Sequence, residues 1–274
     1  MEKNTEKTAE KPILRHFAAL IIGDEIIRGK RPDKHFAHLL EVLAARGLHL
    51  SWSLYVADER PRLIEILCRS LAAGDVVFSF GGIGMTPDDH TRQAVAAAAG
   101  VPLVLHPEAE REIRARCAEQ EVHVTPQRLQ LGEFPAGSRI VPNPVNRMPG
   151  FSYADHHFYP GFPQMAWPML EWTLETYYRE QFHARLESEA AIIVWHGLES
   201  QLLPLMQDIE ARYSQLRLFS LPSLGDATRP RHIELGVRGA PVQVAAAMDD
   251  LRTAITHAGL AWEEMSRRET VEPR

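Results

Sequence analysis

The chain has 274 residues, enough for one large core or two modest ones, and its 45% hydrophobic and 24% charged content excludes disordered, collagenous and disulfide-rich classes. A formal net charge of -6 leaves no basic excess for counterion release, so nucleic acid is not an expected partner. Cys68 and Cys117 are the only cysteines and show neither CxxC spacing nor a disulfide framework, so both read as reduced core thiols.

The opening MEKNTEKTAEKP is polar and mixed in charge, lacks the apolar core of a signal peptide, and is expected to fray. No apolar run approaches the roughly 18 to 20 residues that span a bilayer, so a cytoplasmic protein without membrane contact is expected. Phe17 to Ile22 reads as a strand ending at Gly23-Asp24-Glu25, followed by a helix with Phe36, Leu39, Leu40 and Leu43 on one face, stopped by Gly47. A strand at Trp52 to Val56 precedes a helix that starts near Pro61 and turns Leu63, Ile64, Ile66, Leu67 and Leu71 inward. Val76 to Phe80 is strand-length and has no polar face, as a strand buried between helices in a parallel sheet requires.

Directly after that strand comes Gly81-Gly82-Ile83-Gly84-Met85-Thr86-Pro87-Asp88-Asp89-His90-Thr91, then an alanine-rich helix from Gln93 to Ala99. A helix from Pro107 to about Gln120 leads into a proline-rich stretch of turns and short strands, and a helix from Met165 to about Tyr178 closes the unit. Strand and helix alternation at this pitch predicts an α/β fold with a doubly wound, mostly parallel sheet, over residues 13–180. The charged segment from Arg179 to Glu189 marks a boundary. Beyond it a strand (190–195), a helix (199–213), two strands (216–221 and 232–237) and a helix (241–257) predict a smaller α+β domain over 187–274.

A glycine-rich turn between a buried strand and a helix exposes backbone N–H groups beside the positive end of the helix dipole, which suits phosphate oxygens. Gly81, Gly82 and Gly84 supply the bare backbone, Thr86 a hydroxyl, and Asp88 and Asp89 carboxylates where a hard cation bridging phosphates needs them. The competing account makes the glycines a tight turn, Asp88 the helix N-cap and Asp89 a first-turn acid. Asp24-Glu25 lies at a second strand end, where two adjacent ends can face one crevice, and either shares the metal or caps its loop. No P-loop lysine, GxGxxG fingerprint, GxSxG nucleophile or zinc-like histidine array is present. His35 and His38 stand one helical turn apart, and His156 and His157 are neighbours.

GDE followed by GGIGMTPDDHT, then Asn143-Pro144, Pro149-Gly150 and Pro160-Gly161-Phe162-Pro163, resembles the molybdopterin-binding domain family, including the competence/damage-inducible branch, over about residues 13 to 180. The resemblance implies that Thr91, Asn143, Pro149, Gly150 and Gly161 join the glycine loop in holding a phosphorylated ligand, nucleotide or molybdopterin. It implies metal and catalytic roles for Asp89, with Asp88 as a further ligand, Asp24 as the second catalytic candidate, and a divalent ion, magnesium, as cofactor. In the competence-type branch it implies hydrolysis of ADP-ribose-like diphosphates; the alternatives are a non-catalytic pterin or nucleotide binder and molybdopterin adenylylation. A homo-oligomer fits the family, and the deamidase domain of longer relatives has no counterpart in this sequence. Met85 stands where competence-type proteins carry proline, Asp33-Lys34-His35 replaces an Asp-Thr-Asn-like run, and Arg147 and Met148 replace small residues.

Overall fold

A computed structural model describes residues 15–184, 187–226 and 229–265, so the expectation for MEKNTEKTAEKP lies outside the described residues. The chain divides into two compact units, the first running to Ala184 and the second beginning at residue 185.

The first unit begins with β1 (Phe17–Ile22), α1 (Asp24–Ile27), α2 (His35–Ala44), β2 (Leu50–Val56), α3 (Arg60–Ala73), β3 (Val76–Phe80) and α4 (Thr91–Ala99). It continues through β4 (Leu103–Leu105), α5 (Pro107–Glu119), α6 (Pro126–Gln130), β5 (Glu133–Pro135), β6 (Arg139–Val141), β7 (Gly150–Tyr153), β8 (His156–Tyr159) and α7 (Pro163–Tyr177). Six strands form one sheet in the order β2-β1-β3-β8-β7-β6. The first four are parallel, and β7 and β6 extend the sheet by antiparallel pairing.

Every residue of β1 and β3 is buried because helices cover both faces of the sheet. Phe17, Ala19 and Ile21 face a core with Leu39 and Leu43 of α2 and Leu170 and Leu174 of α7. Ala18, Leu20 and Ile22 face the opposite core with Leu63 and Leu67 of α3 and Ala94 and Val95 of α4. The fold is therefore the doubly wound α/β sheet that its continuous apolar strands predict. Two expectations are corrected. Leu40 is exposed, because the buried stripe of α2 runs through His35, Leu39, Val42 and Leu43. Cys68 is exposed on α3, whereas Cys117 is buried.

At the amino end of β8 two adjacent histidines are buried. His156 Nε2 lies 2.8 Å from the Ser70 hydroxyl, and His157 bridges Ser152 and Tyr178, each at 2.7 Å. Burial pushes the His156 imidazole down to about 4 and His157 well below the usual histidine range. A depressed folded value means that the unfolded chain binds the proton first. Stability is thus fully present above pH 6.5 and falls as pH drops towards 4, by about 1.4 kcal/mol per pH unit for each histidine. Urea unfolding at pH 7, 6 and 5 should show this slope, and His156→Gln should reduce it by roughly half. Equal stability at pH 7 and 5 would exclude the effect.

The second unit comprises β9 (Ser188–Trp195), α8 (Glu199–Arg212), β10 (Arg217–Ser223), β11 (His232–Gly239), α9 (Pro241–His257) and β12 (Trp262–Glu264). All strand pairs are antiparallel, in the order β10-β11-β9-β12, which is the split βαβ arrangement of ferredoxin-like modules. Ile192, Val194, Leu235 and Val237 pack against Leu202 and Ile209 of α8 and Val244, Met248 and Leu251 of α9. The three-residue β12 escapes the sequence reading because so short a strand carries no period. Among the described residues, no helix is long and apolar enough to cross a membrane.

Candidate functional site

The parallel strands place their carboxyl ends on one rim of the first sheet, and the glycine loop leaves that rim after β3. Its shape depends on missing side chains. Gly81 has φ +104°, and a Cβ there would stand 2.2 Å from the Ile22 carbonyl oxygen. Gly82 has φ +68°, and its Cβ would meet Thr91 Oγ1 at 2.2 Å. At Gly84 the obstacle would be Asp89 Oδ2, 2.5 Å away.

The loop's carbonyls are tied back to the protein. Thr91 N–H donates to Gly82 O at 3.0 Å and its hydroxyl to Gly81 O at 3.2 Å, while Arg92 donates to Gly84 O at 2.6 Å. Asp89 Oδ2 accepts from Thr86 N–H at 2.8 Å and from the Thr86 hydroxyl. Gly81 N–H donates to Tyr159 O at 3.0 Å. Among the described residues, the N–H groups of Gly82, Ile83, Gly84 and Met85 make no hydrogen bond to protein. Consecutive open donors at the start of α4 are an arrangement that can accept an anion. Beneath it the Arg92 guanidinium is buried; burial lowers its pKa, and Asp89 opposes that shift.

Neither Asp88 nor Asp89 caps α4. The N-cap is His90, which makes no side-chain cap bond. Asp89 instead staples the loop through Thr86, and Asp88 stands exposed beside it. At the neighbouring strand ends Asp24 N–H donates to Asp58 Oδ2 at 2.9 Å and Asp58 N–H to Asp24 Oδ1 at 3.3 Å; Arg28 pairs with Asp24 at 2.9 Å. Burial raises the Asp58 carboxyl above its ordinary range, and Glu25, Asp24 and Asp88 raise it further. Among the described residues no three His, Cys, Asp or Glu side chains converge on one point where a metal ion would sit.

Gly161 enters from the turn after β8 and packs against Gly81, 3.6 Å separating a Cβ on Gly161 from the Gly81 Cα. The turn from Pro142 to Pro149 leaves the same rim, since β6 runs parallel to β8, but β7 and β8 stand between it and β3, a span of about 14 Å at ordinary strand spacing. Within that turn the Asn143 amide donates to Met148 O and accepts from Val145 N–H, both at 3.0 Å. Pro149 and Gly150 are buried, and a Cβ on Gly150 would stand 2.3 Å from Phe158 O. The rim therefore gathers the glycine loop, Thr86, Asp88, Asp89, Thr91, Asp24 and Gly161, while Asn143, Pro149 and Gly150 shape a second turn farther along it. Sequence reasoning missed Asp58, Arg92 and the contact of His35 with Gly161. Arg92 follows Thr91 at the helix start and so was signalled by position, but Asp58 had no motif.

Residues 18–180 match the sequence model of the family described as "Probable molybdopterin binding domain". The chain belongs to this molybdopterin-binding family. A CinA-like protein of Citrifermentans bemidjiense is 36% identical over 163 residues, covering 57% of this chain and 39% of that protein. One from Sulfurihydrogenibium is 33% identical over 132 residues, 48% of this chain and 33% of its own length. The chain thus spans between a third and two fifths of these CinA-like relatives. The crystal structure of the protein CinA, of unknown function, from Thermoplasma acidophilum superposes with a TM-score of 0.53 at 25% identity, over 59% of this chain and 98% of that one. The match to the molybdopterin-binding family starts within β1 and ends just past α7, so it takes in the whole rim.

Proposed function

We infer that the rim binds a phosphorylated pterin or nucleotide-like ligand with its phosphate on the glycine loop, and that with a divalent ion it hydrolyses ADP-ribose-like diphosphates. The observation that carries this reading is the run of open N–H groups from Gly82 to Met85 above the buried Arg92. A cleft of about 980 Å³ borders the second turn at Asn143 and Pro149, with Trp172 and Tyr177 in its wall; no residue of the glycine loop lines it, so the phosphate reading rests on the loop and not on this cleft.

Magnesium sites commonly use one or two carboxylates and complete their shell with phosphate oxygens and water. Asp89 Oδ1, which makes no hydrogen bond among the described residues, and the exposed Asp88 fit an ion shared with the ligand, not an all-protein cage. Such an ion, when bound, offsets charge on the phosphate oxygens. The loop amides hold and orient the diphosphate. Water oxygen bonds to one phosphorus, the bridging P–O bond breaks, and two phosphate monoesters result. Asp24, engaged with the Asp58 backbone and Arg28, is suited to orient Asp58, and the raised Asp58 carboxyl is suited to take the water proton.

A second reading, a non-catalytic binder, is favoured by the absence of a three-ligand acidic group among the described residues and by the use of Asp89 Oδ2 as a loop staple. Incubation with ADP-ribose and magnesium, manganese or cobalt should release AMP and ribose phosphate, and chelation should stop it. Saturable binding without product would favour the binder. No binding of ADP-ribose, AMP or molybdopterin would sink both readings. Molybdopterin-dependent consumption of ATP would instead identify adenylylation.

A further inference from the structure

His35 opens α2, far in sequence from the glycine loop, yet its ring touches both arms of the rim site. It is 6% exposed and stacks on Phe80, the residue before Gly81, at 4.6 Å and 20°. Its Nε2 lies 3.2 Å from the Gly161 carbonyl oxygen. A carbonyl only accepts, so Nε2 carries the proton and Nδ1 is the acceptor. Nδ1 is buried and has no partner among the described residues.

Asp33 ties down the backbone that carries the ring. Its carboxylate accepts from the His35 and Phe36 N–H groups at 2.8 and 3.0 Å and from the Tyr55 hydroxyl at 2.8 Å, which ties the start of α2 to β2. Packing on Phe80 alone would be served by a phenylalanine. The histidine adds one hydrogen bond, to Gly161, and leaves one buried nitrogen unpaired, an arrangement unfavourable for stability and explicable by the bond it makes.

We propose that His35 is a positioning residue that latches the Gly161 turn against the glycine loop, so that a ligand meets a preformed rim. The use of the latch for binding rests on the phosphate reading of the glycine loop; the latch itself does not. It acts through Gly161 and touches no reacting atom.

The test compares wild type, His35→Phe and His35→Gln in the full chain. Phenylalanine keeps the ring and removes the donor; glutamine returns an N–H at similar reach. Without ligand, hydrogen exchange over residues 160–166 should quicken about ten-fold or more in His35→Phe and stay within about three-fold in His35→Gln. The melting temperature of His35→Phe should not fall. Binding of AMP should weaken about ten-fold in His35→Phe only. Unchanged exchange in His35→Phe, or equal increases in both variants, overturns the latch. Should His35→Phe fail to fold, the ¹⁵N spectrum of wild type decides: a neutral Nε2–H tautomer at His35 supports the latch, and an Nδ1–H tautomer overturns it. Wild type that binds no phosphorylated probe overturns the reading of the glycine loop while leaving the exchange contrast to decide the latch.

Discussion

Asp89→Ala is expected to lower affinity for AMP or ADP-ribose by about 100-fold or more, because two charge-assisted bonds from Thr86 then lose their acceptor and the loop loses its shape. Asp89→Asn separates the two duties of this residue. An amide oxygen still accepts from Thr86, so metal-free binding of AMP should remain within about three-fold of wild type. The same variant lacks the negative charge, so metal-dependent turnover should fall by about 100-fold. Calorimetry without metal and product release with magnesium measure the two effects. If Asp89→Asn turns over like wild type, Asp89 only staples the loop. If both variants lose metal-free binding equally, the staple is not what holds the cradle.

The second large effect is on stability. Gly81→Ala forces a Cβ to 2.2 Å from the Ile22 backbone oxygen at a φ of +104°, and neither partner is a flexible side chain. A cost of about 3 kcal/mol or more is expected, or failure to fold. Gly74 provides the control. It ends α3 at φ +72° with nothing within 4 Å of an added Cβ, so Gly74→Ala should cost only about 1 kcal/mol. The difference between the two in urea unfolding isolates the contact with Ile22 from the backbone preference. Equal costs would mean that the β1 end moves aside freely, and the rim could not then be a rigid cradle.

Elements whose signal is local were legible from residue order. β1 is a continuous apolar run and β3 is one interrupted only by the small, buried Ser79, because both faces are covered, and the helices from His35, Arg60 and Pro107 follow from period and proline position. The glycine loop was legible as a turn between a buried strand and a helix, and the ordered turn motifs were enough to indicate the family. Short pieces such as β4, β5 and β12 were not legible, since three residues carry no period.

Which residues stand together, and which partner each one takes, follows from how the strands and helices pack. Strand order places Asp58 after β2, Asp24 after β1, the glycines after β3 and Gly161 after β8 along one rim, an adjacency that no spacing in the chain encodes. Burial turned Arg92 from an ordinary first-turn residue into the charge beneath the loop, and raised the carboxyl of Asp58. Hydrogen bonding gave Asp89 the task of holding Thr86 and left the cap of α4 to His90. A sequence names the groups able to accept or donate, but the distances set by packed strands determine which of them find partners within the protein and which stay open to a ligand.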